Sequence, residues 1–361
     1  MKHKITSERD AAIASAKTIA AILVVIGHSV FFSVETNVAG LGFDASKYIV
    51  DTTMIKHIFE IIVGIIYSCH MALFMVLSGM VYYIGDQKKY SDLHAFIRKK
   101  FKRLCVTYFA VSILYCIPTA AMCGYFGNPI EVEKVLYYMI GYGKNHLWFL
   151  VALFYIYCIV RLTRNNSFLY AALCICSVVM YIIVNSLYIT ELFYIDRLMM
   201  YLVWFLVGIE LQKRIKTIHN QIKRRPVIWA VSMLCFWACF YVLGKMYPNL
   251  VVSTITTFSG VCFFIVISTI ISPYDASLNK NRIFRRISSN TFEIYLFGTP
   301  ANYIVFFVIS IFYDCTHPLV LGNGSSLLLI LFRVCFQIVF SLSVILLLEK
   351  IKQTFSKVTA Q

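Results

Sequence analysis

Apolar residues run along this chain in long stretches, broken by short basic or mixed segments. Ten stretches are candidate membrane spans: about 11–32, 57–84, 104–126, 145–161, 167–187, 195–212, 226–244, 250–271, 290–313 and 327–348. Runs of this length cross a bilayer as helices. The pattern predicts an all-α protein, a polytopic membrane helix bundle of about ten transmembrane helices. It forms one domain over 1–361, with short tails of about 1–10 and 350–361. The first run is too long for a cleavable signal peptide, and no small-residue cleavage site follows it.

Composition agrees. Of 361 residues 60% are hydrophobic and 14% charged, and the mean hydropathy is +0.76, outside the range of soluble domains. The formal net charge of +16 suggests nucleic acid only until the charges are placed. With the N-terminus inside, 26 of the 33 Lys and Arg fall on the inner side and 6 on the outer, with Arg333 inside a span. That asymmetry predicts cytoplasmic N- and C-termini and leaves no call for a nucleic-acid partner. The basic inner face suits anionic lipid or a phosphorylated ligand. Nearly all of the 12 cysteines lie in apolar runs, with Cys315 the clear exception, so no disulfide framework is expected. Cys174 and Cys176 lack further ligands, and no metal is expected.

Candidate chemistry starts in the first span. Lys17 and His28 stand eleven positions apart in AAIASAKTIAAILVVIGHSVFF. Eleven helical residues turn about 1100°, roughly 20° past three full turns, and rise roughly 16 Å. The two side chains are therefore expected on one face, His28 deep and Lys17 nearer the inside. An ionisable group at that depth marks function by default. The plainer readings are a Lys17 that snorkels to the headgroups and a neutral His28 bonded to a neighbouring helix. His70 falls near the middle of the second span, where Ser78 and Gly79 permit close helix approach.

The inner segment KKYSDLHAFIRKKFKRL carries Arg98 and Arg103 among seven basic residues. Positive-inside anchoring explains most of them, and a phosphate site is the functional alternative. His146 and Trp148 open the fourth span, where Trp148 also suits an interfacial anchor. Asp196 and Arg197 are placed to pair with one another. In the ninth span Glu293 enters the membrane and Tyr295 follows; Glu293 is also a candidate partner for Arg333.

These segments together resemble the acyltransferase-3 family of integral-membrane acyltransferases. Lys17-x10-His28 matches its Arg/Lys-x10-His pattern. HMALFMVLSGM resembles its His-Met-Pro-Leu-Phe-Phe-x-x-Ser-Gly signature, with Ala72 in place of proline. Arg103, Leu104 and Tyr108 match a basic segment ending Arg-Leu-x-x-x-Tyr. His146-Leu147-Trp148-Phe149-Leu150 resembles His-x-Trp-Phe-Leu, and Trp204, Phe205 and Gly208 resemble Phe-Phe-x-x-Gly. SSNTFEIYLFG departs from the family: Gly298 stands where a histidine is common, so no role of that histidine carries over.

The resemblance implies transfer of an acetyl or similar acyl group from acetyl-coenzyme A to a hydroxyl of a cell-surface or lipid-linked carbohydrate. The setting would be the cell membrane, multi-pass. His28 would be the base, Lys17 the donor's contact on the same face, and His70 the group that orients the acceptor or stabilises the oxyanion. The pantetheine arm is long enough to lie between Lys17 and His28. Arg103 and Arg98 would bind cofactor phosphates, and His146, Trp148, Glu293 and Tyr295 would bind the acceptor. With no serine elbow motif, direct transfer is the simpler assumption. A transporter or flippase of a glycan or lipid-linked sugar is the alternative: its midplane histidines, Glu293 and Arg333 would form a proton or permeation path. A membrane sensor or partner subunit without catalysis is a third.

Overall fold

The computed structural model describes residues 2–36, 40–89, 92–142, 145–163, 165–187, 189–278 and 280–358. Helix α1 (Lys2–His28) is followed by a second crossing made of two helices, α2 (Met54–Tyr67) and α3 (His70–Lys89). The third crossing runs through α4 (Leu93–Phe101), α5 (Thr107–Val111) and α6 (Ile117–Met122). Wide π-helical turns at Lys102–Val106 and Ser112–Cys116 join those three pieces. Pro118 sits in the first turn of α6, where its missing N–H costs least. Then come α7 (Val132–Ile140), α8 (Trp148–Thr163), α9 (Ser167–Ser186) and α10 (Ile195–Arg224). They are followed by α11 (Pro226–Met246), α12 (Leu250–Ile271), α13 (Asp275–Leu278), α14 (Arg282–Ser289), α15 (Thr291–Phe312) and α16 (Asn323–Val358).

Nine segments among the described residues are long and apolar enough to cross a membrane, and α8 is a tenth, shorter apolar helix of 16 residues. At 1.5 Å per residue α8 measures about 24 Å, less than a hydrocarbon core of about 30 Å. The expected bundle is present, with several departures from the expected bounds. The first helix stops at His28 rather than Phe32, the second span breaks at Ser68–Cys69, and the fourth starts at Trp148 rather than Asn145. In the other direction α10 and α16 continue as helix through segments expected to be loop and tail.

Backbone contact between α3 and α10 holds the middle of the bundle. A Cβ on Gly79 would lie 2.0 Å from the Phe205 carbonyl oxygen, and one on Gly208 would lie 2.1 Å from that of Val76. Only glycine allows this approach, the usual device of helix pairs in lipid. Beside the crossing Tyr82, Phe96, Tyr157 and Phe205 form a buried aromatic nest. Helix α1 packs against α3, α12 and α15, and α15 packs against α16. Helices α9 and α11 bury little and turn Phe168, Ile175, Val227 and Val231 outward, a surface suited to lipid tails.

A small cap closes the outer end. Strands β1 (Ser33–Glu35) and β2 (Gly42–Asp44) pair antiparallel, and β3 (Ile49–Val50) pairs parallel with β4 (Leu319–Val320). The Ser326 hydroxyl donates to Asp51 Oδ2 at 2.7 Å, and Phe43 packs on Tyr303 and Phe306. The loop after α1 is thus tied to the end of α15 and the start of α16.

If the Gly79–Gly208 contact sets the crossing, Gly79→Ala and Gly208→Ala should each destabilise by about 3 kcal/mol, an overpacking cost. The double variant should cost clearly less than the sum, because the separation forced by one methyl makes room for the other. Thermal unfolding in one detergent, across the four proteins, reads this directly; additive losses would contradict it.

Candidate functional site

Three chain breaks meet inside the bundle, and each carries a histidine. His28 is the last residue of α1, His70 the first of α3, and His146 lies in the irregular segment just before α8. A helix that stops in a membrane exposes backbone groups that lipid cannot satisfy, so each break needs partners.

At the end of α1, the Ser29 hydroxyl donates to the Val25 carbonyl at 2.7 Å and the Ser29 N–H to that of Ile26 at 3.0 Å. The His28 carbonyl accepts from Asn302 Nδ2 at 2.9 Å and Arg333 Nη2 at 3.1 Å. The same Nη2 donates to the Phe31 carbonyl at 2.9 Å. At the α2–α3 break, the Thr257 hydroxyl donates to the Ser68 carbonyl at 2.8 Å and Trp237 Nε1 to the Ser68 hydroxyl at 3.2 Å. Before α8, fully buried Asn145 accepts from the Leu147 N–H at 3.0 Å and donates to the Ser112 hydroxyl at 2.9 Å.

The rings lie close together. Tyr67 stacks on His70 with centroids 4.9 Å apart, and its ring is 6.3 Å from that of His28. His70 and His146 both lie within electrostatic range of His28. His70 Nδ1 is 3.3 Å from the Ile66 carbonyl, and His146 Nε2 is 3.2 Å from that of Leu296. A carbonyl only accepts, so the proton of each neutral ring is assigned to that nitrogen, which leaves His70 Nε2 and His146 Nδ1 as acceptors. Neither ring nitrogen of His28 has a hydrogen-bond partner among the described residues, and the residue is half-buried.

A cavity of about 500 Å³ lies at the end of the bundle expected to face inward, within the range of small-molecule sites. Lys17, Lys100 and Arg103 line it, with Ser78, Glu293 and Tyr295. Lys100 Nζ lies 3.7 Å from the centroid of Tyr157, and the Arg103 guanidinium lies over Phe292. The deep end is an aromatic partition: Phe74 and Phe149 both line the cavity and both pack on Tyr295. His70 and His146 adjoin it. Phe74 is one turn along α3 from His70, and the Tyr295 hydroxyl donates to the His146 carbonyl. A second cavity of about 160 Å³ lies in the outer half, lined by Tyr67, Tyr181, Asn185, Tyr201, Ser253 and Thr257 among others.

Of the residues singled out from sequence, Lys17, Arg103, Glu293 and Tyr295 line the inner cavity. His28, His70 and His146 gather behind the partition and do not line it. Arg98 is exposed on α4 and lines neither cavity. Trp148 stacks on Tyr201 at 5.1 Å, with the Arg197 guanidinium 5.4 Å from the Trp148 ring centroid and Arg197 Nε paired to Asp196 at 3.1 Å. Glu293 does not partner Arg333: the arginine binds carbonyls and Asn302, and makes no ion pair among the described residues. Sequence reasoning gave no role to Lys100 within its basic run or to Asn145 at the start of the fourth span, and passed over Asn302 altogether. Their signal, a lone amide in an apolar run, is weak.

A bundle of apolar helices with clustered internal histidines and a cavity lined by basic side chains defines a polytopic membrane protein. Residues 10–349 match the family model described as the acyltransferase domain of the acyltransferase-3 group, and the chain belongs to that family. It is a membrane acyltransferase. No curated protein and no solved structure matches it.

Asn145→Ala removes the side-chain bonds from Asn145 to the Leu147 N–H and the Ser112 hydroxyl. It should cost about 1–3 kcal/mol, the penalty of unpaired buried groups, and Ser112→Ala should cost less. Thermal unfolding in detergent checks the order.

Proposed function

We propose that the protein transfers an acetyl or similar acyl group from acetyl-coenzyme A to a hydroxyl of a cell-surface or lipid-linked carbohydrate, in the cell membrane. The observation that carries this reading is the cavity lined by Lys17, Lys100 and Arg103, whose wall residues Tyr295 and Phe74 adjoin His146 and His70. Its cationic mouth suits the donor's phosphates. Its depth suits the pantetheine arm, and the thioester reaches the histidines once the Phe74–Phe149–Tyr295 partition opens.

A sugar hydroxyl is a poor nucleophile at neutral pH, so a base must take its proton as it attacks. His28 fits that role because its ring nitrogens are uncommitted. The hydroxyl oxygen bonds to the thioester carbonyl carbon, the C–S bond breaks, and the proton taken by His28 passes to the departing sulfur. His70 offers an acceptor nitrogen at Nε2, which suits it to orienting the acceptor hydroxyl rather than donating to the oxyanion. The outer cavity, against Tyr67, suits the acceptor.

The test is transfer of label from radiolabelled acetyl-coenzyme A to the surface glycan fraction of cells lacking the protein, catalysed by purified protein in nanodiscs. His28→Ala should lower kcat at least ~100-fold, the lower range for a lost general base. Lys17→Met should raise KM for acetyl-coenzyme A roughly tenfold with kcat nearly unchanged, as expected for a contact equal in ground and transition states. Arg98→Met should change neither constant. Full activity in His28→Ala, or glycan flux without acetylation, would reject the reading.

A further inference from the structure

Arg333 is fully buried in α16, and no carboxylate pairs with it among the described residues. An unpaired charge in a membrane interior is expensive to keep, so what the guanidinium does there matters. Its Nε donates to Asn302 Oδ1 at 3.0 Å, and Asn302 Nδ2 donates to the His28 carbonyl. Its Nη2 bridges the His28 and Phe31 carbonyls, on either side of the turn that ends α1. The guanidinium carbon lies 4.5 Å from the Phe306 centroid, and the Phe31 ring meets the His28 ring edge-on at 5.7 Å.

Mere capping does not need an arginine. One turn along α16, the neutral Gln337 does that work, donating to the Ser29 hydroxyl at 2.6 Å and the Val25 carbonyl at 3.3 Å. Asn302 already gives the His28 carbonyl a donor. What the guanidinium adds is a rigid link from α15 through Asn302 to both sides of the turn. It fixes the backbone of His28 and the ring of Phe31 in one frame. We propose that Arg333, with Asn302, is a positioning residue that sets the His28 imidazole against the acyl-transfer site. The proposal rests on the reading of His28 as the base.

The full-length protein in nanodiscs tests it, with radiolabelled acetyl-coenzyme A as donor and diethyl pyrocarbonate as a probe of each histidine, read by mass spectrometry. Arg333→Gln should lower kcat about 100-fold, the scale of a small misplacement of a reacting group. KM for acetyl-coenzyme A should stay within about twofold, because Arg333 does not line the donor cavity. Arg333→Lys should recover part of the loss, and Asn302→Ala should lose kcat in the same way. In each, His28 should be modified faster while the rates at His70 and His146 hold. Wild-type kcat in Arg333→Gln and Asn302→Ala overturns the proposal. So does faster modification of all three histidines together, which marks a general structural role. If Arg333→Gln does not fold, wild-type kcat in Arg333→Lys and Asn302→Ala is the overturning result. His28→Ala separates the two ideas. If it is inactive while the Arg333 variants are active, the clamp alone fails; if it is active, the base reading fails and the clamp with it.

Discussion

Hydrocarbon offers no hydrogen bonds, and that constraint organises this protein. A helix that ends within the bundle must find donors for its last carbonyls in other parts of the chain. Here α1 and α2 end and α8 begins inside the protein, and side chains from four other helices answer them: Thr257 from α12, Trp237 from α11, Asn302 from α15, and Arg333 and Gln337 from α16. The broken backbone puts His28, His70 and His146 at chain ends. A ring at a chain end is freer of the helix wall than one in mid-span. The polar residues that satisfy the breaks are therefore also those that locate the candidate chemistry.

Close packing completes the site. Gly79 and Gly208 bring α3 and α10 into backbone contact, and α3 carries His70 at its start and Phe74 one turn later. The same helix therefore holds a histidine and part of the partition that separates it from the inner cavity. Tyr295 does the same for α15, with its ring in the cavity wall and its hydroxyl on the His146 carbonyl. Movement of either helix would shift the cavity wall and the histidine beside it together.

Gly298 shows how one position departs from the family without disrupting the fold. It is buried, and a Cβ there would meet Gln337 and Ser341 of α16 at 3.7 Å, an ordinary contact. The position is not one that requires glycine for space. Gln337 and Ser341, both fully buried, face it from α16, and Arg333 one turn before Gln337 bonds Asn302 of α15.

The sequence by itself determined the membrane class, the number of crossings to within the short α8, and the pairing of Asp196 with Arg197. Length and hydropathy are local quantities, and adjacent charges meet whatever the rest of the chain does. It also marked His28, His70 and His146, because an ionisable group in an apolar run stands out without a structure. Only the tertiary structure decided where the helices break, since Ser68 and Ser29 end helices only because Thr257, Trp237, Arg333 and Gln337 arrive from far along the chain. The partner of Arg333 was likewise undecidable: Glu293 was the nearest carboxylate by span, yet backbone carbonyls and an amide took the guanidinium. A charge in a membrane goes to whatever acceptors the packing delivers at its depth, and that delivery is long-range.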